Sequence, residues 1–535
     1  MDPPRPPGTL PTYELPLDVD LIERVEIIRG PGSSLYGSNA VLGVINVITR
    51  RGESVGGVEL EGHYGSFDSR QGRFTWGGKL ERGPDLIVSG TIFDSAGNDQ
   101  FYPGLGATSG TDYEHDYDLF ASLAFEQVTF QALVGSREKG IPTGSYETVF
   151  DDPRNRTVDA YNNLAVTYAS PLEGPWELST RLFYNDYSYR GWYVYDYDGP
   201  PFVVNNDLAW GEEWGGEAQL TSTGLERQRI TVGAELREVA RVDQQNYDED
   251  AVYLDDQRSS TIWGLFAQDE IELGERLTLS LGLRHDDYFT FGGTTNPRLA
   301  LIYRPDERTA WKLLAGRAFR APNAYELYYH DGGETAKANP ELEPETIETL
   351  ELVWERDVTA NVRSSLSVFH YDLHDLIAQI EDPADELLVF VNSGDVAADG
   401  IELELEGRCE NGVRGRASHT FQNVQYTDTG ARLENSPQHL SKLGLSFPLF
   451  DRRLLAGLEL QYIGPRDLSA GGTLDEALVT NFTLLRESLW DGVDVSLSAF
   501  NLLDEDYSDP GGGEHTQDRI GQDGRTLVLQ LTASF

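Results

Sequence analysis

Cysteine is nearly absent from the chain, since Cys409 is the only one among 535 residues. A lone thiol excludes an internal disulfide and any zinc site built from cysteines. Long apolar runs are also missing: no segment approaches the roughly 20 apolar residues of a membrane-spanning helix, which excludes a helical membrane bundle. The first segment, MDPPRPPGTLPTYELPL, lacks the charged and apolar regions of a secretory signal peptide.

Basic residues are scarce. Lys and Arg total 42 against 89 Asp and Glu, giving a formal net charge of -47. Without a basic stripe, nucleic-acid binding is excluded. Enzyme motifs are missing too, because no GxxxxGK, HExxH or GxSxG sequence occurs and no nucleophile–base arrangement is apparent. We therefore predict that the chain is not an enzyme.

The sequence does contain long segments in which apolar and polar residues alternate. The segment GIELELEG is an example, with Ile401, Leu403 and Leu405 opposite Glu402, Glu404 and Glu406. Successive side chains of a β-strand point to opposite faces, so this pattern predicts half-exposed strands. The segments reach about ten residues or more, as a tilted membrane-spanning strand requires. Full charges on the polar face favour a water-filled lumen over a packed core.

Tight and long connections between these segments alternate along the chain. Tight ones are predicted at 81–85, 173–175, 224–227 and 451–453, and long ones at 98–115, 141–157, 196–208, 246–259, 331–345, 381–395 and 509–524. The count comes to about 22 strands, and an even number with alternating connections is typical of bacterial barrels. The predicted fold class is all-β, a 22-stranded antiparallel transmembrane β-barrel.

Four segments resemble a known family. IERVEIIRGPGSSLYGSNAVLGVINVITRR resembles the C-terminal end of the plug domain in TonB-dependent outer-membrane receptors. FRAPNAYELYY, followed by NPELEPETIETLEL, resembles the family's mid-barrel signature. NLLDEDY and GRTLVLQLTASF resemble its C-terminal end. Each segment alone is unremarkable as a turn or strand, so the resemblance depends on their order and spacing from about Leu15 to Phe535.

The resemblance implies a bacterial outer-membrane receptor with a partial plug in residues 1–52 and a barrel in residues 53–535. It implies import of a scarce ligand, foremost a ferric siderophore, or else cobalamin or haem, with energy from the inner-membrane TonB complex. The family's signal peptide, TonB box and first part of the plug are not in this sequence, so we expect an N-terminally truncated plug. A passive diffusion channel is the main alternative; an outer-membrane hydrolase and a soluble β-rich binding protein are weaker ones.

In the family, plug arginines pair with barrel glutamates. The resemblance assigns Arg29 to such a plug–barrel latch, with Glu351 and Glu402 as its partners. The alternation supports an inward direction for both glutamates, since Glu351 lies between Leu350 and Leu352 in the sequence. Charge-assisted hydrogen bonds of this kind hold a plug firmly and still allow its release. The alternative is that both glutamates simply line the lumen.

Substrate contacts are predicted from aromatic residues near one long connection. Tyrosine and tryptophan on an outer loop can stack on a planar or catecholate ligand. The candidates in YNDYSYRGWYVYDYDGPPF are Tyr187, Tyr189, Trp192, Tyr193, Tyr195 and Tyr197. An interfacial aromatic girdle is the alternative. His330 lies between the FRAP and NPEL segments, where haem receptors of the family often carry an axial ligand.

Two kinds of metal site are considered. In FHYDLHDL, His370, Asp372 and His374 share one strand face, which we expect to line the lumen. They would bind a metal there or serve as ordinary inward polar residues. The acidic segments TDYEHDYD and FDDPRNR could hold calcium in outer loops, although their spacing matches no fixed calcium loop and a solvated acidic surface explains them as well. No other cofactor is expected.

The expected partners follow from the same resemblance. They are the TonB complex, a small metal chelate or corrinoid as ligand, and outer-membrane lipid with lipopolysaccharide around the barrel. Nucleic acid is not among them, and the barrel is expected to be a monomer.

Overall fold

In the computed structural model, the described residues are 17–30, 32–79, 81, 83–333, 335–450 and 453–535, with Ser33 and Leu35 described by their backbone alone. Residues 1–16 of the region assigned to the plug lie outside them, as do parts of the tight connections predicted at 81–85 and 451–453. Within these ranges, no helix has both the length and the apolar character needed to cross a membrane.

The chain is almost entirely β-structure. The strands are β1 (Ile22–Arg29), β2 (Gly43–Thr49), β3 (Gly57–Gly65), β4 (Arg70–Lys79), β5 (Asp85–Ser95), β6 (Phe101–Tyr102), β7 (Gly106–Ala107), β8 (Glu114–Phe125), β9 (Val128–Gly140), β10 (Arg156–Pro171), β11 (Trp176–Tyr195), β12 (Val203–Ser222), β13 (Gln228–Tyr247), β14 (Val252–Glu272), β15 (Leu277–Tyr288), β16 (Gly292–Asp306), β17 (Thr309–Arg320), β18 (Glu345–Thr359), β19 (Val362–His374), β20 (Ile377–Glu381), β21 (Leu388–Asn392), β22 (Val396–Arg408), β23 (Arg414–Tyr426), β24 (His439–Leu449), β25 (Leu454–Ile463), β26 (Arg466–Asp467), β27 (Thr473–Leu474), β28 (Ala477–Trp490), β29 (Val493–Phe500), β30 (Ser508–Pro510), β31 (Arg519–Gly521) and β32 (Thr526–Ser534). The helices are α1 (Ser33–Tyr36), α2 (Gly52–Val55) and α3 (Ala324–Tyr328), with 3-10 turns at Val19–Leu21 and Ser66–Asp68.

Twenty-two of these strands form one closed antiparallel barrel. Each barrel strand pairs with the next along the chain, and β3 pairs with β32 to close the circle. The closure extends to the last residue, since the amide N of Phe535 donates to the carbonyl O of Val58 at 2.8 Å. The predicted fold class is confirmed.

The two faces of the barrel wall differ as the alternation predicts. On β18, Leu350 and Leu352 are 50% and 44% exposed on the outer face, whereas Glu351 between them is 4% exposed and points inward. An exposed belt of leucine, valine and aromatic side chains therefore surrounds a lumen lined by charges. This distribution suits a barrel that contacts hydrocarbon outside and water inside.

Short and long connections alternate around the barrel. One rim carries tight turns, such as 172–175, and the other carries loops of up to about 25 residues, such as 501–525. Two predicted loops are wrong: 196–208 shrinks to 196–202, and 246–259 shrinks to 248–251. The loops are shorter because β12 and β14 begin early, at Val203 and Val252, where polar residues on both faces obscure the alternation.

The described part of the plug lies inside the lumen. Strands β1 and β2 pair as an antiparallel hairpin, and α2 leads from the hairpin into the first barrel strand. The plug is anchored at its base by an apolar cluster. Leu17 and Leu21 pack there against Ile87 and Phe120 of the barrel wall. The barrel wall therefore contributes the hydrophobic partners of these two plug residues.

The orientation of β19 gives a prediction about charge tolerance. Val368, on the outer face near mid-strand, should tolerate arginine poorly, and Val368→Arg should cost about 2–4 kcal/mol of stability in lipid vesicles. The control is Ser365→Arg on the same strand, since Ser365 lies opposite Glu355 and Glu404 on the inner face. Denaturant unfolding of both variants in vesicles measures the difference, and equal losses would contradict the assigned faces.

Candidate functional site

The structure brings the plug residue Arg29 to two barrel glutamates. Its Nη1 lies 2.6 Å from Glu402 Oε1, and its Nη2 lies 2.8 Å from Glu404 Oε2. The Arg29 side chain is 42% exposed to the lumen, so water screens both pairs. Arg416 also pairs with Glu404, at 2.8 Å. Glu404 was not singled out from the sequence, although it shares the face of Glu402.

Glu351 takes a different place from that expected for a direct Arg29 partner. It is buried and accepts a hydrogen bond from Ser367 Oγ. Among the described residues, no cation lies within ion-pair distance of Glu351, although its charge acts on Arg29 from farther away. The direct partners of Arg29 are therefore the two glutamates of β22.

A second plug–barrel contact, missed in the sequence, centres on Arg73 of β4. Its side chain is 1% exposed and makes ion pairs with four carboxylates. Two belong to the plug base, Asp18 at 3.4 Å and Asp20 at 3.3 Å. The other two belong to β3, Glu59 at 2.8 Å and Glu61, which lies directly opposite Arg73 in the register.

Further donors also bind the carboxylates of this network. Arg50 contacts Glu59 at 3.2 Å, and Thr91 Oγ1 donates to Asp18 at 3.0 Å. Gln530, on the last strand, donates to Asp20 at 3.0 Å. The sequence signal was present in the alternation, since Glu59, Glu61 and Arg73 all fall on inward positions of neighbouring strands. The network ties the plug base to both ends of the closed sheet.

The tip of the plug touches the opposite wall. The amide N of Asn39 donates to the carbonyl O of Phe319 at 3.0 Å, and Ser38 Oγ accepts from the amide N of Ala321 at 3.1 Å. Gly37, with φ of +74°, lies against the guanidinium of Arg284, and a Cβ at Gly37 would come within 3.1 Å of it. The plug tip thus meets the base of loop 321–344.

Above the plug tip, the inner face of β11 carries three tyrosines. Tyr189 and Tyr193 are buried with their hydroxyls hydrogen-bonded to each other, and Tyr195 follows on the same face. Gly191, between the first two, leaves room for their rings, because a Cβ there would lie 2.4 Å from Tyr193. The expectation that these aromatic residues are exposed beside the outer loop is wrong for Tyr189 and Tyr193, which are buried on the inner face of β11.

Loop residues complete this group, which we call the tyrosine cluster: Tyr146, Tyr189, Tyr193, Tyr195, Tyr325 and Tyr329. The Tyr146 and Tyr193 rings meet edge to face with centroids 5.5 Å apart, and the Tyr325 and Tyr329 rings lie 4.4 Å apart. Burial raises the pKa of the Tyr325 and Tyr329 hydroxyls well above the ordinary value. Their phenols therefore stay protonated and uncharged at neutral pH.

The short helix α3 positions the last two tyrosines. Asn323 and Glu326 form a reciprocal capping box, with Asn323 Oδ1 accepting from the amide N of Glu326 at 2.9 Å. Arg320 holds Glu326 at 3.0 Å, and Gln244 Nε2 donates to the carbonyl O of Ala324 at 2.9 Å. Tyr329 is fixed by Asn246 Nδ2, which donates to its hydroxyl at 3.1 Å.

The other aromatic candidates lie elsewhere. Tyr187 is on the inner face, where its hydroxyl donates to Asp159 at 2.6 Å, below the cluster. Tyr197 is 64% exposed in loop 196–202 and stacks on Tyr195 with centroids 5.8 Å apart. Trp192 points to the outer face, under the Arg156 guanidinium at 4.1 Å. The structure thus groups three of the six candidates, with Tyr197 at their edge.

The histidine candidates do not lie together in one site. His330 follows Tyr329 directly, and its Nδ1 accepts from the amide N of Gly332 at 3.2 Å. The expectation that His370, Asp372 and His374 line the lumen is wrong. His370 lies opposite the outward Leu350, so the outer face carries all three. His370 pairs there with Asp372 and Asp399.

The carboxylates of the two acidic outer segments already have protein partners. Asp151 accepts from the amide N of Ser109 at 2.7 Å and from Thr111 Oγ1 at 3.1 Å. Asp112 binds Lys139, and Asp152 binds Arg154. In the described part of the chain, no group of three or more His, Cys, Asp or Glu side chains is arranged to hold a metal ion.

Known proteins share both the sequence pattern and the fold. The family model described as TonB dependent receptor-like, beta-barrel matches residues 92–502, and that of the TonB-dependent Receptor Plug Domain matches residues 8–44. The iron-regulated outer membrane virulence protein of Vibrio cholerae is 25% identical over 553 aligned positions, which cover 96% of this chain and 80% of the relative.

Solved structures of the same fold align along nearly the whole chain. The ferric yersiniabactin uptake receptor FyuA of Yersinia pestis has a TM-score of 0.76 and 16% identity, covering 96% of this chain and 85% of that one. The FrpB iron transporter of Neisseria meningitidis has a TM-score of 0.75 and 16% identity, covering 96% and 88%. The ferric enterobactin receptor PfeA of Pseudomonas aeruginosa, a mutant in complex with enterobactin, has a TM-score of 0.76 and 19% identity, covering 96% and 86%.

The Arg29 contact gives a prediction about how firmly the plug is held. Arg29→Ala removes two half-solvated ion pairs and leaves Glu402 and Glu404 to repel each other, for a loss of roughly 1 kcal/mol. We expect higher single-channel conductance of the purified protein in planar bilayers and greater antibiotic leakage into cells. Arg416→Ala is the control, since it removes a Glu404 pair within the barrel wall. Unchanged conductance and leakage in Arg29→Ala would contradict the latch.

The Arg73 network gives a larger predicted effect. Arg73→Met leaves buried carboxylates without their shared cation and should destabilise the folded protein by about 3–5 kcal/mol. The control is Arg70→Met on the same strand, because Arg70 pairs with Asp68 in an exposed position and its loss should barely change stability. Guanidinium unfolding in detergent measures both variants. Similar midpoints for the two variants would show that the network does not anchor the plug.

Proposed function

The chain belongs to the TonB-dependent receptors of the bacterial outer membrane, and we propose that it imports a ferric siderophore bound at the tyrosine cluster, with energy supplied by the TonB complex. It is a transport receptor of the siderophore-receptor type and not an enzyme. The ligand, its site and the energy coupling are the proposed parts.

The observation that carries the proposal is the position of the tyrosine cluster. It lies at the loop end of the lumen, above the plug tip, where a ligand arriving from outside first meets an inward surface. Its rings come from β11, loop 141–155 and loop 321–344, so closure of those loops would enclose a ligand. Clustered aromatic rings favour stacking on a flat chelate.

The same cluster is connected to the plug by a hydrogen bond. Loop 321–344 carries Tyr325 and Tyr329, and its first residue, Ala321, donates to Ser38 of the plug tip at 3.1 Å. A ligand that shifts α3 would therefore displace the plug tip through the hydrogen bond between Ala321 and Ser38. This connection supports a receptor in which occupancy outside is sensed by the plug.

Among possible ligands, the ferric siderophore is best supported. The similar structures include a ferric yersiniabactin uptake receptor, an iron transporter and an enterobactin complex, and the Vibrio cholerae relative is iron-regulated. Haem would need an axial ligand, and the sequence candidate His330 follows the cluster rather than belonging to it, with Nδ1 accepting from the amide N of Gly332. No feature of the cluster favours cobalamin over an iron chelate.

Energy for release must come from a partner, because the sequence carries no nucleotide-hydrolysis motif. The plug is held by charged contacts at Arg29 and Arg73, which resist thermal release and yet separate when pulled apart in water. This supports a TonB-coupled pull on the plug as the step that opens a path. We further propose that the barrel works as a monomer, with lipid and lipopolysaccharide on its outer face.

The proposal predicts TonB-dependent iron uptake through the tyrosine cluster. Iron-starved cells producing the receptor should accumulate radioactive iron supplied as ferric siderophore, and a host without TonB should not. The double variant Tyr325→Ala, Tyr329→Ala should weaken equilibrium binding about tenfold or more, since each aromatic contact contributes on the order of 1 kcal/mol.

The matched control is Trp192→Ala, which removes an aromatic ring from the outer face of the same barrel region. Binding should be unchanged in this variant. Uptake that persists without TonB, or equal affinity in the tyrosine and tryptophan variants, would contradict the proposal.

A further inference from the structure

We propose that the tyrosine cluster recognises a positively charged group on the ligand, so that the receptor takes a cationic iron chelate in preference to an anionic one. This inference rests on the proposed function and narrows its substrate class. It starts from one carboxylate, Asp207, at the centre of the cluster.

Asp207 lies on the inner face of β12, between a glycine and an asparagine of the adjacent strands. In the register it faces Gly191 of β11 on one side and Asn246 of β13 on the other. Because Gly191 has no side chain, the carboxylate is flanked by the rings of Tyr189 and Tyr193, which occupy that space. Its charge acts on both of these tyrosines and on Tyr195, Tyr325 and Tyr329.

Asp207 has no cationic partner within the described structure: no Lys, Arg or His nitrogen lies within 4.0 Å of its carboxylate. In the lumen, Glu59, Glu61 and Glu402 each pair with an arginine, whereas Asp207 does not, and Glu351 has only the Ser367 hydroxyl. An inward carboxylate that lacks such a partner is costly unless something neutralises it. A cation brought by the ligand would do so.

A second polar group at the cluster has one unpaired atom. Gln244, two residues before Asn246 on the same face, is 4% exposed, and its Oε1 accepts no hydrogen bond from the described residues. Its Nε2 is engaged by the carbonyl O of Ala324, at the start of α3. The free oxygen therefore lies beside the helix that carries Tyr325. An oxygen acceptor without a donor suits an N–H group.

The aromatic rings complete the chemistry of a cation site. A cation over the face of tyrosine is attracted by the ring's electron density, and cages of aromatic rings with a carboxylate are the usual receptors for ammonium groups. A guanidinium already lies over a neighbouring ring, since Arg258 is 3.4 Å from the centre of Tyr328. The cluster itself offers rings, one carboxylate and one amide oxygen, all suited to positive charge.

The charge of the outer loops acts in the same direction. The eleven connections on the loop side contain 34 Asp and Glu against six Lys and Arg, whereas the ten tight turns on the opposite side contain nine against six. The acidity is thus concentrated on the side from which a ligand arrives. A field of this sign attracts cations to the entrance and repels an anionic chelate.

Three iron chelates separate the possibilities in one binding experiment. The probes are a linear ferric trihydroxamate with a free terminal ammonium, the same chelate with that amine acetylated, and a ferric tris-catecholate, which carries three net negative charges. Binding to the purified receptor in detergent is measured by tryptophan fluorescence. We expect the ammonium form to bind at least about fivefold more tightly than the acetylated form, and the tris-catecholate to bind most weakly.

Asp207→Asn should remove the preference for the ammonium form and leave the acetylated form unaffected. Glu249→Gln, in the outer loop 248–251, is the control for general loop charge and should keep the preference. Raising the salt concentration should weaken the ammonium form more than the acetylated form. This salt series uses the unaltered receptor, so it tests the inference even if Asp207→Asn folds poorly.

Equal binding of the two hydroxamates, tightest binding of the tris-catecholate, or a preference that survives Asp207→Asn would each overturn the inference while leaving iron-chelate import intact. Failure of all three chelates to bind would instead contradict the proposed function, and the inference with it.

Discussion

Closure of the sheet by β3 and β32 is the interaction on which the rest of the structure depends. In hydrocarbon, an unpaired backbone N–H or C=O costs several kcal/mol, so a spanning sheet must have no free edge. Pairing runs from Glu59 with Ser534 to Gly65 with Val528, and Phe535 completes it beside Val58. Once the sheet is closed, each strand has one face toward lipid and one toward an enclosed lumen.

That enclosure explains why charges and tyrosines can gather inside. The wall excludes lipid from the lumen and positions side chains from distant parts of the chain, so ion networks such as that of Arg73 form between the plug and the wall. The same wall holds the tyrosine cluster over the plug tip. In the described part of the plug, the buried apolar cluster against the wall is the small patch at Leu17 and Leu21, and the remaining contacts with the wall are largely polar or charged.

Much of the fold could be predicted from the sequence, because successive side chains of a barrel strand point alternately to lipid and to the lumen. The sequence therefore alternates between apolar and polar residues with a period of two. This alternation gave the strand number and the inward direction of Glu351 and Glu402. Alternation does not show which face is inward when both faces carry polar residues. Near the loop rim the outer face also meets water, and for this reason His370 was assigned to the wrong face. The same mixture of polar residues hid the first residues of β12 and β14. The tyrosine cluster could not be predicted, since Tyr146, Tyr193 and Tyr329 meet only through barrel closure and loop packing.

Iron itself can report where the ligand binds. A crystal of the receptor with a bound ferric siderophore, measured at the iron absorption edge, would place the metal by its anomalous signal. Binding at the tyrosine cluster requires that signal between the plug tip at Ser38 and the rings of Tyr195, Tyr325 and Tyr329. An iron site elsewhere on the barrel, with the cluster empty and its rings unmoved, would contradict the assignment of this cluster as the binding site.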